Sequence, residues 1–191
     1  MRRLTVLVAV IALGGVQQGE ASVNVALGKP AIANESYEGQ GPENVVDGDL
    51  ATQWSGPSWG TPENPYWVRI DLEGLYRPDR IVLYGVETGG QFPGYFVNYV
   101  LDYSTDSTTW HLIQTGTLYD DPIDCIDDIA LPGTEEMRYI RYTVDGGTHW
   151  ANLRELEVYA APIPEPAALV VWSLLGASGI GIGWWRRRRG A

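Results

Sequence analysis

Tyr66-Trp-Val-Arg-Ile-Asp-Leu72 alternates without a break, with Val68, Ile70 and Leu72 on one side and Trp67, Arg69 and Asp71 on the other. Side chains of an extended chain point to opposite faces with a period of two, so the run reads as a strand with one face in a core and one in solvent. Arg80-Ile-Val-Leu-Tyr84 and residues 97–103 follow the same pattern, and 110–115, 137–144 and 153–159 complete a set of short apolar runs. Between them lie turn-forming stretches: Gly56-Pro57-Ser58, Gly89-Gly90, Asp120-Asp121-Pro122, Pro132-Gly133 and Gly146-Gly147. No helical period lasts over about ten residues before residue 164. Short strands punctuated by Gly/Pro turns predict an antiparallel sandwich or barrel.

The ends read differently. Pro164-Glu165-Pro166 precedes an apolar run, 167–185, and then Arg186, Arg187, Arg188 and Arg189. About 19 residues at a 1.5 Å rise give roughly 28 Å of helix, the thickness of a bilayer's hydrocarbon. The arginines hold their end in the cytoplasm and place everything upstream outside. At the other terminus Arg2-Arg3, the apolar run 4–16 and the small residues around Gly19-Glu20-Ala21 form a secretory signal, 1–21. Residues 22–161 remain, enough for one domain with a proper core.

Six of the 13 basic residues, and Glu20 and Glu165 of the 24 acidic ones, lie in these ends, which leaves 7 basic against 22 acidic residues and a net of −15. Such a surface excludes nucleic acid as a partner, because phosphate binding needs a basic face. It suits divalent cations, neutral sugars or basic surfaces. The lone Cys125 cannot form an internal disulfide, so stability must come from packing or metal. Asp47-Gly48-Asp49-Leu50-Ala51-Thr52 packs two carboxylates and a hydroxyl into six residues. From spacing alone it is either a hard-cation loop or an ordinary Asp-Gly hairpin turn. Asp120, Asp121, Asp124, Asp127 and Asp128 form a second acidic cluster, read as a solvated loop beside Cys125.

Two resemblances sharpen these readings. The proline-glutamate-proline triplet, the span and the basic end resemble the PEP-CTERM sorting signal of exopolysaccharide-producing Gram-negative bacteria. That resemblance implies a transient inner-membrane anchor at 162–191 that an exosortase removes; an ordinary C-terminal anchor is the alternative. Asn24-Val-Ala-Leu-Gly-Lys-Pro30, Asn44-Val-Val-Asp-Gly-Asp49 with Thr52 and Trp54, the 66–72 run, Tyr103-Ser-Thr-Asp-Ser with Trp110, and Glu155-Leu-Glu-Val-Tyr159 occur in one order. Together they resemble the discoidin, or coagulation factor V/VIII type C, domain, a group that includes the family 32 carbohydrate-binding modules. The resemblance implies an all-β, eight-stranded jelly-roll sandwich of the galactose-binding-like kind, with ligand loops at one end. The terminal disulfide of many animal members is missing, which favours the bacterial sugar-binding branch. It further implies structural calcium (Ca2+), held by carbonyls near Asn44, by Asp47, Asp49 and Thr52, and by an acid from the last strand, matched here by Glu155. The ion would clip an early loop to the closing strand.

Sugar rings stack their C–H faces on indole, and the eight tryptophans divide by position. Trp54, Trp67 and Trp110 occupy motif positions read as core, and Trp172, Trp184 and Trp185 belong to the span. Trp59 and Trp150 remain, each in a glycine-flanked loop where an indole would be hard to bury. In the resemblance such loops carry the ligand contacts, commonly an aromatic with a histidine, an arginine or an asparagine. His149, Trp150 and Asn152, with Trp59, Phe92 and Tyr95, are the ligand-binding candidates. No nucleophile motif surrounds any serine, and Cys125 lies among aspartates that suppress its thiolate. The reading is a non-enzymatic, exported glycan or exopolysaccharide binder at the cell surface or in the extracellular matrix. The alternative is a matrix or adhesion component that contacts proteins and has no sugar pocket.

Overall fold

The computed structural model describes residues 22–86, 94–120 and 125–161. The signal at 1–21, Phe92, and the whole 162–191 tail, with Pro164, Glu165, Pro166 and the four arginines, lie outside the described residues. Among the described residues no helix is long and apolar enough to cross a membrane.

The elements in chain order are β1 (Val23–Asn24), β2 (Ala31–Ala33), a 3-10 helix (Pro42–Val46), β3 (Trp54–Ser55), β4 (Tyr66–Tyr76), β5 (Pro78–Tyr84) and β6 (Phe96–Ser104). They continue with β7 (His111–Tyr119), β8 (Ile126–Ala130), β9 (Met137–Gly147), β10 (Asn152–Leu153) and β11 (Glu155–Ala160). One sheet has the order β1-β11-β5-β8 and the other β2-β4-β9-β6-β7, while β10 and β3 form a separate ribbon. Every pairing is antiparallel. Val23 pairs with Ala160, so the two ends of the described segment are zipped together and enclose their own core.

The alternation of β4 decides which face is inside. Tyr66, Val68, Ile70 and Leu72 are buried, and they meet Tyr99, Leu101, Ile140, Tyr142 and Val144 from the same sheet and Ile81, Leu83, Leu156 and Val158 from the other. Burying each such side chain stabilises the fold by about 1.5–3 kcal/mol, an upper range for area accounting. Trp54 is fully buried and donates its indole N–H to the Glu35 carbonyl at 3.1 Å, which satisfies the one polar atom it takes inside.

Several sequence expectations are corrected. Trp67 and Trp110 are not core. Trp67 shares the outer face of β4 with Arg69 and Asp71, as its own alternation requires, and Trp110 lies under the Arg141 guanidinium, 4.0 Å from its ring centroid. Among the described residues there are eleven strands where eight were expected; four of them, β1, β2, β3 and β10, are pairings of two or three residues, too short to show a period. The described part of the acidic cluster is not a solvated loop. Asp120 and Cys125 are buried, Asp127 and Asp128 belong to β8, and Asp128 pairs with Arg80 at 2.7 Å. Asp127 accepts from the Tyr99 hydroxyl and from the Gln114 amide (2.9 Å), which ties β8 of one sheet to β6 and β7 of the other.

The β6–β7 connection is built on one carboxylate. Asp106 accepts from the Thr109 and Thr108 N–H groups (2.9 and 2.8 Å) and from the Ser104 hydroxyl (3.0 Å). These bonds, the Thr109 N–H foremost, hold its carboxyl well below the usual carboxylate range. A depressed folded-state pKa gives stability that is present above the unfolded value and lost as pH falls through the folded one. Asp106→Asn should therefore melt below the wild type at neutral pH, with the gap in melting temperature closing as pH falls below about 4. A gap independent of pH would remove the charge from this account.

Candidate functional site

Residues 56–60, 94–95 and 146–151 come together at one end of the sandwich, around the β3–β10 ribbon. Backbone bonds fix the approach: Gly56 N–H donates to the Ala151 carbonyl at 2.8 Å, Ala151 N–H to Ser58 at 3.1 Å, and Thr148 N–H to Phe96 at 2.9 Å. Gly60 lies flat on β9, where a Cβ would press into the Val144 carbonyl. Gly60→Ala should destabilise the domain by about 1–3 kcal/mol, read as a lower urea midpoint at unchanged slope. An unchanged midpoint would show that the Trp59 loop is not pinned there.

Trp59, Tyr95, Thr148, His149 and Trp150 line a cleft of about 250 Å³. Trp59 and Trp150 are 59% and 41% exposed, unusual for indoles and consistent with a surface waiting for an apolar partner. Tyr95 meets the His149 ring edge-on, centroids 5.5 Å apart, and Tyr37 braces Trp150 at 5.3 Å. Asn152 is buried beneath, its amide nitrogen 2.7 Å from Nδ1 of His149 and 2.9 Å from the Trp150 carbonyl. Nδ1 also lies 3.2 Å from the Trp150 carbonyl, so the ring is held at one nitrogen by two groups of its own loop. The structure thus brings Trp59, Tyr95, His149 and Trp150 to one surface, with Asn152 orienting the histidine from below. Tyr37 and Thr148 were missed by sequence reasoning. Tyr37 lies in an aperiodic loop and reaches Trp150 only because its N–H is held by the Ser55 carbonyl at 2.7 Å.

The Asp47–Thr52 turn leads directly into β3, and Glu155 follows β10 by two residues, so this second constellation shares the ribbon that frames the cleft. Asp47 accepts from Asp49 N–H and from the Thr52 hydroxyl, each at 2.8 Å, and Asp49 accepts from Ala51 N–H at 2.9 Å. Asn44 donates its amide to the Gln53 carbonyl at 2.7 Å. Across 107 residues, both Glu155 carboxylate oxygens lie 3.3 Å from Gly48 N. Glu155 is 1% exposed and has no cationic side chain in ion-pair range among the described residues. Burial pushes its carboxyl up to about 7, the Gly48 N–H opposes this, and the carboxylates of Asp47, Glu157 and Asp49 push it further. Among the described residues no three His, Cys, Asp or Glu side chains form a group that could hold a metal ion. A positive charge at the turn would relieve the buried Glu155 carboxyl, which Asp47, Glu157 and Asp49 all crowd electrostatically, and oxygen donors of this kind suit a hard cation.

Comparison with known proteins places the fold. The model of the F5/8 type C domain matches residues 30–156. No curated protein matches. Among solved structures, chitosan-binding module 1 of a chitosanase/glucanase from Paenibacillus sp. IK-5 is 25% identical, with a TM-score of 0.58 over 72% of this chain and 99% of that one. The family 32 module of Clostridium perfringens NanJ, in complex with galactose, is 16% identical, with a TM-score of 0.58 over 73% and 98%. A further family 32 module produced by C. perfringens, in complex with GlcNAc-α-1,4-galactose, is 20% identical, with a TM-score of 0.58 over 73% and 94%. With the family model spanning most of the sandwich and the fold shared end to end with these modules, the chain belongs to the F5/8 type C domain family.

Proposed function

We propose that this chain is an exported, non-catalytic carbohydrate-binding module that seats a sugar in the Trp59–Trp150 cleft and is stiffened by structural calcium. The exposed indole pair carries the reading: two indoles that line one cleft together with Tyr95, Thr148 and His149 match the apolar face and polar rim of a pyranose. The neighbouring hollow, which shares Tyr95 and His149 with the cleft, adds the polar groups of Asp120 and Asn152 beside the aromatic faces. The concave aromatic cleft also favours a sugar over the alternative of a protein-binding adhesion surface.

Calcium would be held by Asp47, Asp49, Thr52, Glu155 and carbonyls near Asn44. The ion supplies positive charge that joins an early loop to the last strand. What the protein contributes is the buried Glu155, aimed at the turn by Gly48, and through β3 and β10 a rigid base for Trp59 and Trp150. The flanks, 1–21 and 162–191, are proposed to direct export and a transient inner-membrane anchor that an exosortase removes, leaving the module at the cell surface or in the exopolysaccharide matrix. A glycan array probed with residues 22–161, with and without calcium, tests the function. Binding of at least one sugar class, weakened on chelation, is expected, and silence on every glycan would contradict it.

A further inference from the structure

On the outer face of the five-stranded sheet, Arg69 of β4 stands directly opposite Arg141 of β9. Like charges in facing positions repel. Arg141 is neutralised by its next neighbour in the row, Asp102 of β6, at 3.0 Å from Nε to Oδ1. Arg69 holds no ion pair among the described residues: the nearby Asp71 feels its charge but is forked by Arg138, at 2.9 and 3.0 Å, and the Arg69 guanidinium rests over the Tyr139 ring, 5.6 Å from the centroid. Lys29, Arg77, Arg80, Arg138 and Arg141 all hold ion pairs. A guanidinium with no ion pair of its own, in a segment with 22 acids, is an open seat for an anion.

Its surroundings narrow the anion. Trp67 lies two residues earlier on the same face and is partly exposed. Its row runs Trp67, Thr143, Val100, Thr115 across β4, β9, β6 and β7, beside the row Arg69, Arg141, Asp102, Leu112. Four strands about 4.8 Å apart make this band about 14 Å long. We infer that this face binds a uronic-acid-containing polysaccharide, with one carboxylate forked by Arg69 and the adjoining ring against Trp67, at a site separate from the loop cleft. The guanidinium matches a carboxylate bidentately, which a neutral chain lacks, and the small Thr and Val side chains leave the floor flat. At about 0.15 M salt the Debye length is about 8 Å, so the acidic surface elsewhere is screened while the direct contact is kept.

The test is calorimetric titration of the purified full chain with an alginate oligosaccharide and with its carboxyl-reduced form, using the wild type, R69Q, W67A and the W59A/W150A double variant. The wild type and the double variant should bind the alginate oligosaccharide alike. R69Q and W67A should each lose tenfold or more, and carboxyl reduction should weaken the wild type equally. R69Q relieves a repulsion, so its melting temperature should not fall. No binding by the wild type, unchanged binding by R69Q, or loss in the double variant would each overturn the sheet-face site. The neutral-glycan reading of the loop cleft stands or falls separately, on the array.

Discussion

Chelating divalent cations should lower the melting temperature of residues 22–161 by about 10 °C, and Asp47→Ala should give the same loss with calcium present. An ion that binds only the folded state stabilises by mass action, about 2.7 kcal/mol at a hundredfold excess over its dissociation constant. For a domain of this size that converts to roughly 10 °C. The effect should be large here because the ion would join positions 47 and 155, so its loss leaves buried Glu155 facing Asp47 and Asp49 with no counter-charge. Asp47→Ala plus chelator should cost no more than either alone, since both remove the same ion. A melting temperature indifferent to chelation would remove calcium from the account and leave Gly48 N–H as the only partner the carboxylate needs.

The second large effect is on binding. Trp59→Ala with Trp150→Ala should weaken the sugar that the array identifies by about a hundredfold, roughly tenfold or 1.4 kcal/mol per indole. Both indoles are exposed and neither is packed in the core, so the melting temperature should stay within a few degrees of wild type. Modest wild-type affinity is expected, because each stacked ring and neutral hydrogen bond adds little net free energy. Undiminished binding by the double variant would move the sugar elsewhere.

Much of the architecture was legible because β4, β6 and β9 alternate over stretches of five to seven residues, and a period of two fixes which face is inside. Trp67 shows what happens when a motif is read over the pattern: its position in a familiar string suggested core, whereas the neighbouring Val68 and Ile70 had already assigned it outward. β8 was invisible because Asp127 and Asp128 look like a loop in isolation. Their partners, Tyr99, Gln114 and Arg80, come from other strands, and only the fold turns those acids into structural groups. In the cleft, nearby glycines (Gly56 and Gly60 around Trp59, Gly146 and Gly147 before Trp150) exposed both indoles to sequence reasoning. Tyr37 carried no local sign, because its place against Trp150 is created by a backbone bond to β3.

The most direct measurement is a two-dimensional NMR titration of 15N-labelled residues 22–161 with a neutral glycan taken from the array, following the indole N–H signals. The account predicts that the Trp59 and Trp150 signals shift with a common dissociation constant, while that of Trp54, bonded to Glu35 inside the core, stays in place. Unmoved Trp59 and Trp150 signals at saturating glycan would contradict it.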